Sequence, residues 1–128
     1  MGRALFSVVR DSPRAGAQSR GLELVPVNLQ CPHCLRSLRA LRASCDPPND
    51  CADLVVLLVD LRARPAAALV ESLGVARVWW DRRGIWRHRW GHRIYGEVVR
   101  FDAAGRYLGT SPPIMAPEAR ALVRERSR

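Results

Sequence analysis

Residues 28–38 read NLQCPHCLRSL, and the fold turns on what lies on either side of the two cysteines. Before them, LELVPVNL (22–29) alternates enough, and carries enough β-branched character, to be a strand, with Pro26 marking a bulge or an edge position. After them, Leu35, Leu38 and Leu41 recur at helical spacing, Arg36, Arg39 and Arg42 take the other face, and Pro32 suits a first helical turn. The local order is strand, C-x-x-C, helix. On the residues alone, Cys31 and Cys34 are a redox pair, half of a metal site, or two ordinary buried thiols.

Working outward, the paired prolines of SCDPPNDC (44–51) end that helix in a loop. ADLVVLLVDL (52–61) then holds a continuous apolar run, the pattern of a strand covered on both faces. PAAALVESL (65–73) is a short helix opened by Pro65 and stopped by Gly74. GEVVRFDAAGRYLGT (96–110) reads as a β-hairpin turning at DAAG, and PEARALVRER (117–126) as a closing helix. Residues 1–21 show no sustained period and read as a flexible lead-in, leaving 22–128 as the domain. Strand, helix, strand, helix, then hairpin and helix, implies an α/β fold: a central mixed sheet with helices on both faces.

A chain of 128 residues suffices for one core. No apolar run approaches the roughly 20 residues of a membrane span, and the first residues carry no recognisable signal-peptide cleavage site. The compartment stays open on the sequence: cytoplasmic by the absence of a signal peptide, extracytoplasmic if the start site is misassigned. The net charge of +9 rests on 21 basic residues, all arginine, a bias that a GC-rich genome also produces. Whatever its origin, such a field favours acidic partners.

Cys31 falls where a strand ends and a helix begins, so free backbone N–H groups and the positive end of the helix dipole face its sulfur. Such settings move a thiol from about 8.5 into the range of about 3.5 to 7.5, which makes Cys31 the attacking sulfur. Cys34, one turn further in and better shielded, suits a resolving thiol. A protonated His33 adds a positive charge that lowers the Cys31 pKa further. The second pair, Cys45 and Cys51, lies at the far end of the helix, on the order of 15 Å or more away. A continuous helix therefore keeps the four cysteines from one zinc ion, and metal binding requires 35–44 to be non-helical. Cys45 and Cys51 are either a loop disulfide or two unlinked thiols, and no metal ligands are assigned.

Residues 79–95, WWDRRGIWRHRWGHRIY, hold all four tryptophans, five arginines and two histidines. Trp79, Trp80, Trp86 and Trp90 are candidates for partner binding, because Trp and Arg are enriched in protein interfaces. They also fit a core covered by stacked arginines, or single-stranded nucleic acid, the least favoured of the three. Gly84 and Gly91 argue against a stable helix that would pair His88 with His92.

The sequence resembles the thioredoxin-like thiol-disulfide oxidoreductases. The resemblance spans roughly 22–126 and rests on VNLQCPHC, on LVVLLVDL and on VVRFDAAGRYLG, which is similar to the hairpin of the membrane-associated and cytochrome-maturation members. Pro32-His33 is similar to the dipeptide of bacterial periplasmic disulfide oxidases. It implies a thioredoxin-like fold, Cys31 as nucleophile, Cys34 as resolving cysteine, protein thiols or disulfides as partners, and no cofactor. The family usually has an aromatic residue where Gln30 stands, and a cis-proline near the place of Tyr95 or Gly96, whereas no proline lies between Pro65 and Pro112. The competing classes are a non-catalytic thioredoxin-like module that binds proteins through 79–95, and a zinc-binding nucleic-acid module.

Overall fold

The computed structural model describes residues 6–11, 21–45, 51, 53–90 and 96–113. The sheet has six strands in the order β1-β4-β3-β2-β5-β6. They are β1 (Ser7–Asp11), β2 (Leu22–Val27), β3 (Leu54–Leu58), β4 (Arg77–Trp80), β5 (Val98–Phe101) and β6 (Tyr107–Ser111). The helices are α1 (Pro32–Ala43), α2 (Ala67–Ser72) and α3 (Ile85–Trp90). β2, β3 and β4 run parallel, while β1, β5 and β6 are antiparallel to their neighbours.

β3 explains the architecture. All five of its residues are buried, and alternate side chains enter different cores: Leu54, Val56 and Leu58 pack with α1 and α2, whereas Val55 and Leu57 pack with Phe6, Trp79 and Trp86. The crossovers from β2 to β3 and from β3 to β4 both step outward in one direction. Right-handed connections therefore place α1 and α2 on one face, where Leu38, Leu41, Val70 and Leu73 meet Val25, Val27 and Val78. Fully burying each such aliphatic side chain is worth about 1.5–3 kcal/mol. α3 covers the other face through Trp86, which gives the mixed sheet its helices on both sides.

Three elements differ from the sequence reading. Residues 7–11 are not part of an unstructured lead-in: Ser7 through Asp11 form edge strand β1 along β4, with a register shift between Val8 and Arg10. Phe6 anchors it by stacking on Trp79 with ring centroids 5.8 Å apart. β4 was hidden in the apolar RVWW, which gives no alternation because both of its faces are covered. α3 forms despite Gly84, because the buried Asp81 carboxylate accepts the N–H groups of Trp86 and Arg87, both at 3.1 Å. Gly84 itself takes the left-handed φ of +68° that the entry to this helix uses.

Pro26 is neither at an edge nor in a bulge. β2 lies between β3 and β5, but its pairing with β5 covers only Leu22, Glu23 and Leu24. Beyond that point the Pro26 carbonyl accepts the N–H of Gly96 at 2.9 Å, so no ladder bond needs the donor that proline lacks. The hairpin matches expectation: the Asp102 carboxylate accepts the N–H groups of Ala104 and Arg106 at 3.0 and 2.8 Å and shapes the turn into β6. The proposed helix over 117–126 lies outside the described residues.

A disulfide joins Cys45 to Cys51, with Cα atoms 5.5 Å apart, and ties the end of α1 to the approach of β3. Closing a loop this short removes about 2 kcal/mol of chain entropy from the unfolded state. The double variant Cys45→Ser/Cys51→Ser is expected to lower unfolding stability by about that amount. Urea titration, with the urea midpoint falling and circular dichroism retaining the native fold, checks it.

Candidate active site

The two remaining cysteines are free thiols and stand where β2 hands over to α1. Asn28 builds the turn between them: its carbonyl accepts the Cys31 N–H at 3.0 Å and its side-chain oxygen the Gln30 N–H at 2.9 Å. Cys31 is the N-cap of α1, with φ −101° and ψ 104°. Its sulfur accepts the Cys34 N–H at 3.2 Å, the place a serine or aspartate oxygen takes in an ordinary cap. Pro32 follows in the first turn, where its missing N–H has no partner to lose.

The chemistry of the two sulfurs differs because their surroundings do. Cys31 is partly exposed and Cys34 fully buried. The Cys31 pKa is lowered, first by the hydrogen bond from the Cys34 thiol; burial, the next largest influence, opposes this, and the backbone N–H groups of Cys34 and His33 and the Arg36 charge add to the lowering. Cys34 is pushed up to about 12, chiefly by burial and then by holding its proton toward Cys31. The site therefore pairs a sulfur at Cys31 whose ionised form is favoured with one at Cys34 whose protonated form is favoured. His33 is exposed and acts on Cys31 through its backbone N–H, whereas the sequence reading had assigned that influence to its imidazole.

Gly96 sits against this helix turn. Its carbonyl accepts the Ser37 hydroxyl at 3.2 Å, its φ is +89°, and a Cβ built there would lie 3.7 Å from the Cys34 Cα and 3.4 Å from the Ser37 side chain. Position 96 thus occupies the neighbourhood where the resemblance places a proline. Tyr95, the other candidate, lies outside the described residues. On the opposite flank, Asp60 follows β3 with a left-handed φ of 58°. Its carboxylate pairs with the Arg87 guanidinium and accepts from the Asn28 amide at 3.4 Å. Asn28, Ser37 and Asp60 escaped the sequence reading, Ser37 and Asp60 because each acts through a partner distant in sequence. Only Asn28, one residue beyond the end of a strand and ahead of a helix, carries a local signal, that of a turn former.

Of the two leading readings of the tryptophans, core and partner surface, Trp79, Trp80 and Trp86 take the first. Trp79, Trp80 and Trp86 are only 4, 5 and 6% exposed. β4 alternates Trp79 and Trp80 into the two cores, and Trp86 packs on Phe6 at 6.2 Å. Trp80 donates its indole N–H to the Leu61 carbonyl at 2.9 Å, and Arg82 lies over its ring at 5.9 Å. That is a core covered by a stacked arginine. The side chain of Trp90 and all of His92 lie outside the described residues.

The 12-residue α1 holds the two cysteine pairs at its opposite ends. No group of three or more metal-ligating side chains occurs among the described residues, and no helix there is long and apolar enough to cross a membrane.

Strand, N-capping cysteine, helix, crossover and terminal hairpin together define a thioredoxin-like fold. Solved structures agree. StoA from Bacillus subtilis is similar at a TM-score of 0.57 and 16% identity, over 79% of each chain. The exposed lipoprotein thioredoxin Etrx1 of Streptococcus pneumoniae strain TIGR4 gives 0.58 and 18%, over 86% of this chain and 87% of that one. A putative thiol:disulfide interchange protein DsbE from Chlorobium tepidum gives 0.59 and 11%, over 94% and 89%. No family model and no curated protein matches the sequence.

The order of influences on Cys31 sets a measurable pH dependence. A lowered pKa moves the rise of thiolate, and with it the alkylation rate, to lower pH than for a free thiol. Because the Cys34 thiol is the largest contributor, Cys34→Ala is expected to move that rise back to higher pH, whereas Cys34→Ser, which keeps an O–H donor, moves it less. Alkylation followed by mass spectrometry from pH 5 to pH 10 checks it, and identical profiles for the two variants would exclude the Cys34 hydrogen bond as the cause.

Proposed function

We propose that this protein is a thiol-disulfide oxidoreductase acting on protein substrates through Cys31 and Cys34. The observation that carries the reading is the asymmetry of the pair, a partly exposed sulfur of lowered pKa beside a buried thiol of raised pKa. Three similar structures, a thioredoxin, a disulfide oxidoreductase and a putative thiol:disulfide interchange protein, support it.

In the reducing direction the Cys31 thiolate attacks a substrate disulfide. A Cys31–substrate disulfide forms, and the released substrate thiolate takes a proton from water. That bond removes the negative charge on Cys31, and with it two of the causes that raise the Cys34 pKa, the hydrogen bond and the Coulomb repulsion. Cys34 then loses its proton more readily and attacks Cys31 Sγ, so the second substrate thiol leaves. The protein ends oxidised at Cys31–Cys34 and the substrate ends as a dithiol; the reverse sequence oxidises a substrate dithiol. Burial keeps Cys34 inert until the mixed disulfide exists, and so fixes the order of attack.

Treatment with oxidised glutathione is expected to convert the wild type to an intramolecular Cys31–Cys34 disulfide and to leave Cys34→Ser trapped with one glutathione on Cys31. Cys31→Ser is expected to take up none at neutral pH. Intact-mass measurement reads all three, and equal glutathionylation of Cys31→Ser and the wild type would overturn the assignment of the nucleophile.

A further inference from the structure

Between α1 and α2 runs a cleft of about 290 Å³. Leu29 and Leu35, on either side of the cysteine pair in the sequence, line it together with Arg39 and Arg42 of α1. Leu69 and Leu73 of the α2 segment line it from the second helix. Leu69, 41% exposed, is one of few large apolar side chains left in solvent, and the first turn of α1 contains no acidic residue. Arg36, Arg39 and Arg42 make no ion pair among the described residues. The Arg42 guanidinium lies against Gly74, where a Cβ would come within 2.4 Å of it, and its Nε is buried without a hydrogen-bond partner. A partly desolvated guanidinium with no anion beside it among the described residues is a favourable neighbour for a carboxylate.

We infer that this cleft is the docking site for the polypeptide that exchanges disulfides at Cys31, and that it selects a segment pairing an apolar side chain with acidic ones. The inference rests on the thiol-exchange reading and adds the substrate's chemistry to it. Continuity decides the occupant: Leu29 and Leu35 bring the cleft to the residues flanking Cys31, so an extended chain whose cysteine meets that sulfur runs on between the helices. The leucines receive its apolar side chain, and Arg39 and Arg42 its carboxylates. A neutral or basic segment leaves the Arg42 charge uncompensated and is disfavoured.

Fluorescence anisotropy with labelled peptides in which serine replaces the cysteine tests docking apart from thiol chemistry. The set holds a leucine with two glutamates, the same with lysines, and the acidic peptide with its leucine changed to serine. The acidic leucine peptide is expected to bind the wild type about tenfold tighter than either control. Arg39→Glu is expected to erase most of the charge preference, and Arg64→Glu, an equal change of net charge at an exposed position outside the cleft, to retain most of it. Equal losses in the two variants would mean that the overall field alone attracts the peptide, and would overturn the site, as would indifference to the leucine. Selective binding by a protein whose Cys31 fails to exchange with oxidised glutathione would uphold the docking site and sink the oxidoreductase reading instead.

Discussion

The hydrogen bond from the Cys34 N–H to the Cys31 sulfur is the contact on which the site depends. A helix must satisfy the N–H groups of its first turn, and here a sulfur supplies the acceptor. The same contact starts α1, fixes where Cys31 points and favours its thiolate. Structural capping and one of the influences that lower the Cys31 pKa are thus the same interaction, beside the larger one from the Cys34 thiol.

That contact has meaning only because the sheet holds β2 still. β2 is paired on both sides, with β3 along its length and with β5 at its start. The Asn28 turn then delivers Cys31 at the end of a rigid strand. Burial of Cys34 follows from the same geometry, because one turn into α1 the helix lies against Val25, Val27 and Val98. The difference between the two thiols is thus a difference of depth in one core, amplified by the proton they share.

The arginine surface belongs to the same helix. Arg36 and Arg39 are exposed and Arg42 is half-buried against Gly74, and the Arg36 charge helps to lower the Cys31 pKa. Arg39 and Arg42 border the cleft toward α2. One element therefore carries Cys31 at its start, a row of positive charge along its flank and a disulfide just beyond its end.

The sequence by itself determined the elements whose signals are local. C-P-H-C after an apolar strand, leucines at helical spacing, an apolar run too short for a membrane and D-A-A-G between alternating strands each encode an element within a dozen residues. Cys45 and Cys51 stood close enough in the chain for their bond to be one of two readings. Tertiary structure decided the rest, because the deciding partners are remote. Edge strand β1 depends on Phe6 meeting Trp79, and α3 on a buried Asp81 preceding its glycine. The burial of three tryptophans depends on β4 having both faces covered. Gly96 is held near Cys34 by hydrogen bonds to Pro26 and from Ser37, the latter 59 residues earlier in the chain. Periodicity reports which side of an element is apolar. What covers that side is settled by packing between distant segments, and on that packing depended whether the tryptophans formed a binding surface or a core.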